Sequence, residues 1–228
     1  MDFSLQGRLC QSFPVPLTRT IPPEGRWPVL VALLGVGGIT LSLPHALVVG
    51  PRWLLLALVL VLVIPTTLAH RAGNHRIDAL LGYLISAAVT LGLVGSLVLL
   101  IVRLPSKAES PTALLRAATV LWVTNILVFA IWYWRLDAGG PHRREKRIGH
   151  TAGAFFFPQM MDGAPVENPG AWSPRFVDYL FLAFNTSTAF SPTDTAILSR
   201  WAKGLCMLQA LISLSIVAIL ASRAVGML

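Results

Sequence analysis

The sequence predicts an all-α integral membrane protein with five transmembrane helices plus one short re-entrant hairpin before the last helix. Three observations carry that expectation. The 228 residues are 55% hydrophobic and only 12% charged, against about 25% charged in an ordinary soluble domain. Apolar runs of bilayer length, about 20 residues each, alternate with connectors rich in arginine, glycine and proline. One further apolar run, Phe176 to Phe190, is short and ends in hydroxyls and amides, so it makes a poor span.

Four regions follow in order. Residues 1–26 form a proline-rich, lightly basic arm with no apolar core of signal-peptide length, so the first membrane helix is expected to do the targeting itself. Residues 27–136 hold four crossings. The first runs from Trp27 to about Val48, with Gly35, Gly37 and Gly38 allowing close helix approach. The second runs from Trp53 to about Ala69 and is apolar all round; Pro65 is expected to kink its exit. The third spans Ile77 to Val102. The fourth spans Thr112 to Trp134, with Asn125 at its middle. An amide at mid-membrane should face other helices, because leaving it unpaired in lipid is costly. Trp132, Tyr133 and Trp134 then read as an aromatic interface belt.

Residues 137–172 are a connector, basic over Arg143, Arg144, Lys146 and Arg147 and then apolar, of which part should pack on the bundle. Residues 173–228 hold the distinctive stretch. Ser173-Pro174 reads as a helix start, opening a helix from Phe176 to about Phe184 that carries Asp178. A polar turn follows: Asn185, Thr186, Ser187 and Thr188. Ser191, Thr193 and Asp194 then offer a second capping signal, and a last crossing begins within Thr195 to Lys203. Non-helical backbone at membrane depth is tolerated only where protein or water surrounds it, which makes this stretch the place to look for function.

The formal charge of +8 does not imply a nucleic-acid partner. The basic residues sit between apolar runs, where loops facing anionic lipid place them. With Phe176–Phe190 returning to the side it left, only Arg52, Arg103, Lys107, Arg116 and Arg223 of the 18 Lys and Arg fall on the outer side. That bias predicts a cytoplasmic N-terminus, an external C-terminus and multi-pass residence in the bacterial inner membrane. A crossing at Phe176–Phe190 would give six spans instead. Cys10 and Cys206 lack any disulfide or metal spacing, and His70 and His75 have no third ligand nearby, so no metal or cofactor is expected.

The stretch FVDYLFLAFNTSTAFSPTDTAILSRWAKGLCMLQALISL resembles the carboxy-terminal block of a family of small bacterial polytopic membrane proteins of unassigned activity. There, a DYLYLAF-like helix precedes an FSPTD-like turn, a basic SRWAK-like segment and a final helix. It is also distantly similar to the pore helix, filter and inner helix of tetrameric cation channels, with Thr188 and Asp194 at the filter's leading threonine and trailing aspartate. Ala189, Phe190, Ser191, Pro192 and Thr193 stand between them without a glycine. The resemblance therefore implies the architecture and not potassium selectivity.

Two functional readings stand. In the first, Asn185, Thr186, Ser187, Thr188, Ser191, Thr193 and Asp194, with Asp178 and Asn125, line a channel-like pathway for small cations in a homo-oligomer. In the second, the same turn packs the bundle of a non-conducting accessory protein. The crossings carry no HExxH, GxSxG or paired carboxylates, so an enzyme is not indicated.

Overall fold

The computed structural model describes residues 24–104, 110–145, 153–161, 172–188 and 194–225. The arm ahead of Glu24, and Ser191 and Thr193 of the distinctive stretch, lie outside them. Seven α-helices are present among the described residues: α1 (Trp27–Thr40), α2 (Trp53–Arg71), α3 (His75–Arg103), α4 (Pro111–Leu136), α5 (Pro141–Glu145), α6 (Phe176–Thr188) and α7 (Arg200–Val225). Two two-residue strands, β1 (Phe155–Phe156) and β2 (Ala196–Ile197), pair antiparallel. The protein is an all-α membrane protein: Arg76–Arg103, Pro111–Gly139 and Arg200–Ser222 are long and apolar enough to cross a bilayer, and Trp27–Thr40 and Trp53–Ala69 are shorter apolar helices.

Local chemistry explains the boundaries. Ser110 accepts a hydrogen bond from the Ala113 amide (3.2 Å) with Pro111 at the first helical position, so α4 starts where N-cap chemistry directs. Asn74 caps α3, with Asp78 in its first turn and Arg103 in its last, each complementing the helix dipole. Pro65 stays inside α2 and does not end it; Thr66 donates to the Leu62 carbonyl beside it (2.6 Å).

α1 is shorter than its apolar run suggests. Thr40 and Ser42 turn their hydroxyls onto the Gly37 and Ile39 carbonyls at 2.7 Å, satisfying acceptors at the helix end. Pro44 follows, and the chain makes a 3-10 turn at His45–Leu47. Leu43 and Leu47 are buried there, and Ser42 and Pro44 lie beside Arg52, Thr112 and Arg116, so this segment continues along the bundle toward its opposite end.

α4 is the central helix, more deeply buried along its length than α3 or α7. It packs on α1, α3, α6 and α7, while α2 lies between α1 and α3. Side-chain pairing fixes the directions. Trp134 meets Phe176 and Trp122 meets Phe184, with ring centroids 6.4 and 6.0 Å apart, so α6 runs antiparallel to α4. Ala183 meets Gln209 and Ser187 meets Ser213, so α6 and α7 run parallel although they are consecutive. Both start at the end where α4 finishes.

The strand pair holds that arrangement. Phe155, 1% exposed, packs its ring on Tyr133, Tyr179 and Trp201, and its partner Ile197 leads directly into α7. Part of the long connector thus packs on the bundle, as its apolar composition predicts. The same end of the molecule carries Arg26, Arg135, Arg143, Arg144, Arg175 and Arg200, while Arg52, Arg103 and Arg116 mark the opposite end.

Candidate functional site: the tip of a half-length helix

α6 has 13 residues, about 20 Å of helix at 1.5 Å per residue, against a hydrocarbon core of about 30 Å. It is rooted at the arginine-rich end and reaches only partway along α4 and α7. Ser187 at its tip lies about 17 Å from its first residue.

The sequence suggests a polar turn after Phe184. The helix instead continues through Asn185, Thr186, Ser187 and Thr188. Thr186 donates to the Leu182 carbonyl (2.8 Å) and Thr188 to the Asn185 carbonyl (3.1 Å). Hydroxyls that bond back to their own helix let a polar quartet stay helical in apolar surroundings. Asn185, Thr186 and Thr188 are half-buried.

Ser187 is buried and sits in a network spanning three helices. Its hydroxyl accepts from Asn125 Nδ2 of α4 (3.3 Å) and Gln209 Nε2 of α7 (2.8 Å). Its carbonyl, one of those that a helix end leaves unpaired, accepts from the Ser213 hydroxyl (2.5 Å). Gln209, wholly buried, also donates to the Ala183 carbonyl (2.7 Å) and accepts from the Tyr133 hydroxyl. Asn125, likewise buried, donates to the Gln209 carbonyl (3.4 Å), while its Oδ1 has no hydrogen-bond partner among the described residues.

Of the residues singled out from sequence, the fold brings Asn125 and Ser187 together. It places Asp178 and Asp194 elsewhere. Asp178 lies in the first turn of α6, where its Oδ2 accepts from the Arg175 amide (2.7 Å), an N-terminal capping role. Asp194 is exposed, two residues ahead of β2 and hence near the arginine-rich end. The cluster at the tip is therefore made of amides, hydroxyls and carbonyls and carries no charge. It can solvate a cation or hold water; it has no acid, base or nucleophile pair. Among the described residues no three metal-ligating side chains converge.

No family model, curated protein or solved structure matches the chain.

The root of α6 depends on residues that the sequence does not flag. Glu24, just ahead of α1, accepts from the Phe176 amide (2.6 Å) and from Trp134 Nε1 (2.9 Å). Asp137, fully buried after α4, accepts from the Tyr179 hydroxyl and the Ala154 amide, both at 2.6 Å. Arg144, 3% exposed, donates to the Trp134 and Asp137 carbonyls (2.6 and 3.0 Å) and lies over the Trp134 and Tyr179 rings. Its Nη2 stands 3.7 Å from Glu24. A residue that reads as part of a solvated basic tract is thus a buried strut. The only sequence signals for this network are an isolated glutamate before the first helix and an isolated aspartate after the fourth.

Proposed function

We propose that this is a multi-pass protein of the bacterial inner membrane with five crossings: α1 together with the apolar segment that continues it to about Val48, then α2, α3, α4 and α7. In this reading α6 is a re-entrant element, and the protein conducts small cations as a homo-oligomer. The observation that carries this is the parallel pairing of α6 and α7, which delivers the C-terminal tip of a half-length helix to mid-bundle. A helix C-terminus bears roughly half a negative charge, and in a low-dielectric setting that favours a cation. Asn185, Thr186 and Thr188 are half-buried on the tip, free to face water once copies assemble. Val177, Phe181 and Phe184 on the outer face of α6 are exposed in one chain, so a pathway would form between copies. The uneven distribution of arginine supports a cytoplasmic arginine-rich end.

The network around Ser187 favours a second reading. With Asn125, Gln209 and Ser213 all turned onto it, the tip is well satisfied inside one chain, as in a non-conducting accessory protein.

Cation flux into liposomes separates the two. Wild type is compared with Asn185→Leu and Thr188→Val, which spare the Ser187 network. Flux in the wild type that falls at least tenfold in both folded variants supports conduction past the tip. No flux under any cation gradient or voltage favours the packed tip.

A further inference from the structure

At the arginine-rich end, α1, α2, α3 and α4 enclose a cavity of about 170 Å³. Its rim is polar, formed by Arg26, Asp78, Arg135, Thr66 and Thr67, and its wall is apolar, formed by Val29, Leu33, Val63 and Ile85. A smaller cavity of about 60 Å³ shares Arg26, Asp78 and Arg135 and extends past Tyr83 and His142.

The rim holds two guanidiniums against one carboxylate. Arg26 donates to Asp78 through Nη1, but its Nε and Nη2 are buried with no hydrogen-bond partner among the described residues. Arg135 is 9% exposed; its guanidinium lies over the Trp134 ring, 5.8 Å from the centroid, and its Nε has no such partner either. Gly82 makes the seat for that side chain: a Cβ there would stand 1.6 Å from Arg135 Nη1. Buried guanidinium donors left unpaired are costly. Their planar forks match an oxyanion better than any neutral group. Ionisable side chains facing the interior of a membrane bundle mark a functional site by default.

We propose that this cavity receives the oxyanion head of a membrane amphiphile. A phosphate or carboxylate is held by Arg26 and Arg135, and the first carbons of its chain lie against Val29, Leu33, Val63 and Ile85. The volume is close to that of the roughly 150 Å³ cavity that accepts benzene, so a head or a short chain segment enters and the rest of the molecule stays outside. The apolar wall distinguishes this site from one for a free inorganic anion. It is separate from the tip of α6 and does not rest on conduction.

The test uses purified full-length protein in dodecylmaltoside. It is heated alone and with dioleoyl phosphatidylglycerol, dioleoylglycerol, oleate or inorganic phosphate, and apparent affinity is read from the rise of Tm with ligand concentration. Phosphatidylglycerol or oleate should stabilise the wild type, and dioleoylglycerol, which has the chains without an oxyanion, should not. Arg135→Gln should weaken that affinity by about tenfold or more. Gly82→Ala, which displaces the same guanidinium, should act in the same direction. Arg143→Gln removes an equal charge from an exposed position and should change nothing. Val63→Phe narrows the apolar wall while keeping both arginines, and should weaken the amphiphiles; it decides the matter alone if Arg135→Gln does not fold. The proposal is overturned if dioleoylglycerol matches phosphatidylglycerol, or if the wild type and the cavity variants respond alike. It is also overturned if inorganic phosphate stabilises as well as the amphiphiles, which would mark a free-anion site.

Discussion

Replacing Gln209 by methionine keeps the side chain's length and removes its hydrogen bonds. Three side-chain bonds are lost: to the Ala183 carbonyl, to the Ser187 hydroxyl and from the Tyr133 hydroxyl. Interhelical hydrogen bonds in membranes average about 0.6 kcal/mol, with a maximum near 1.7, so the loss should be roughly 2 kcal/mol. The Ala183 bond contributes least, because a mid-helix carbonyl already accepts an intrahelical bond. Tyr133→Phe should cost about 1 kcal/mol, within the usual range for one bond. The sharper quantity is the coupling between the two. Each single change abolishes the same Tyr133–Gln209 bond, so the double variant should lose less than the sum, by about 1 kcal/mol. Reversible unfolding in mixed dodecylmaltoside and dodecyl sulfate micelles, followed by tryptophan fluorescence, measures all three. Additivity to within about 0.3 kcal/mol would refute the bond as a clamp between α4 and α7.

Other outcomes follow from close contacts. A Cβ at Gly37 would meet the Leu56 Cδ1 at 2.8 Å and its Cα at 3.2 Å, and backbone cannot swing aside. Gly37→Ala should therefore lower stability by about 1–3 kcal/mol in the same assay. Gly38→Ala meets nothing within 4 Å and should be neutral or stabilising by up to about 1 kcal/mol, as alanine is in a helix; equal effects at both sites would contradict the packing of α1 on α2. Asp137→Asn leaves a buried Arg144 with less neutralisation and exchanges an acceptor for a donor facing the Ala154 amide or the Tyr179 hydroxyl. Stability should fall by about 2–4 kcal/mol, and limited proteolysis should cut earlier near residues 153–161. A variant as resistant as the wild type would remove Asp137 from the root of α6.

Where an element is marked by composition and punctuation, the sequence reads well. α2, α3 and α4 begin and end within a few residues of their expected limits, because Trp53, Asn74, Ser110-Pro111 and Arg103 signal through purely local chemistry. α1 ends early because hydroxyls at Thr40 and Ser42 close it before Pro44, and an apolar run alone does not reveal that. α6 runs on to Thr188 because its threonines bond to their own helix. Ser and Thr break or continue a helix according to where those hydroxyls turn, which only the fold decides. Asn125 is legible as an interhelical amide. Its partners are not, since Gln209 and Ser213 are ordinary polar members of an apolar helix until α6 is laid beside them. Least legible is the root: Glu24, Asp137 and Arg144 are brought together across more than a hundred residues, and no periodicity records a long-range charge pair. The strand pair is too short to leave any alternation at all.

The parallel run of α6 beside α7 also constrains the order of assembly. A helix of 13 residues is too short to be held by a bilayer on its own apolar length, so its position must come from neighbours already in place. Gln209 and Ser213, which grip its tip, lie later in the chain than α6 itself. Glu24, which caps its root, is among the earliest residues described. A growing chain thus emerges with the tip of α6 unseated: its root can settle on Glu24, Asp137 and the rings of α4, but the tip is gripped only after α7 has followed it into the bundle. Truncation ahead of Gln209 should then loosen the tip of α6 while its root stays on α4, so that proteolysis reaches Ser187 before Phe176.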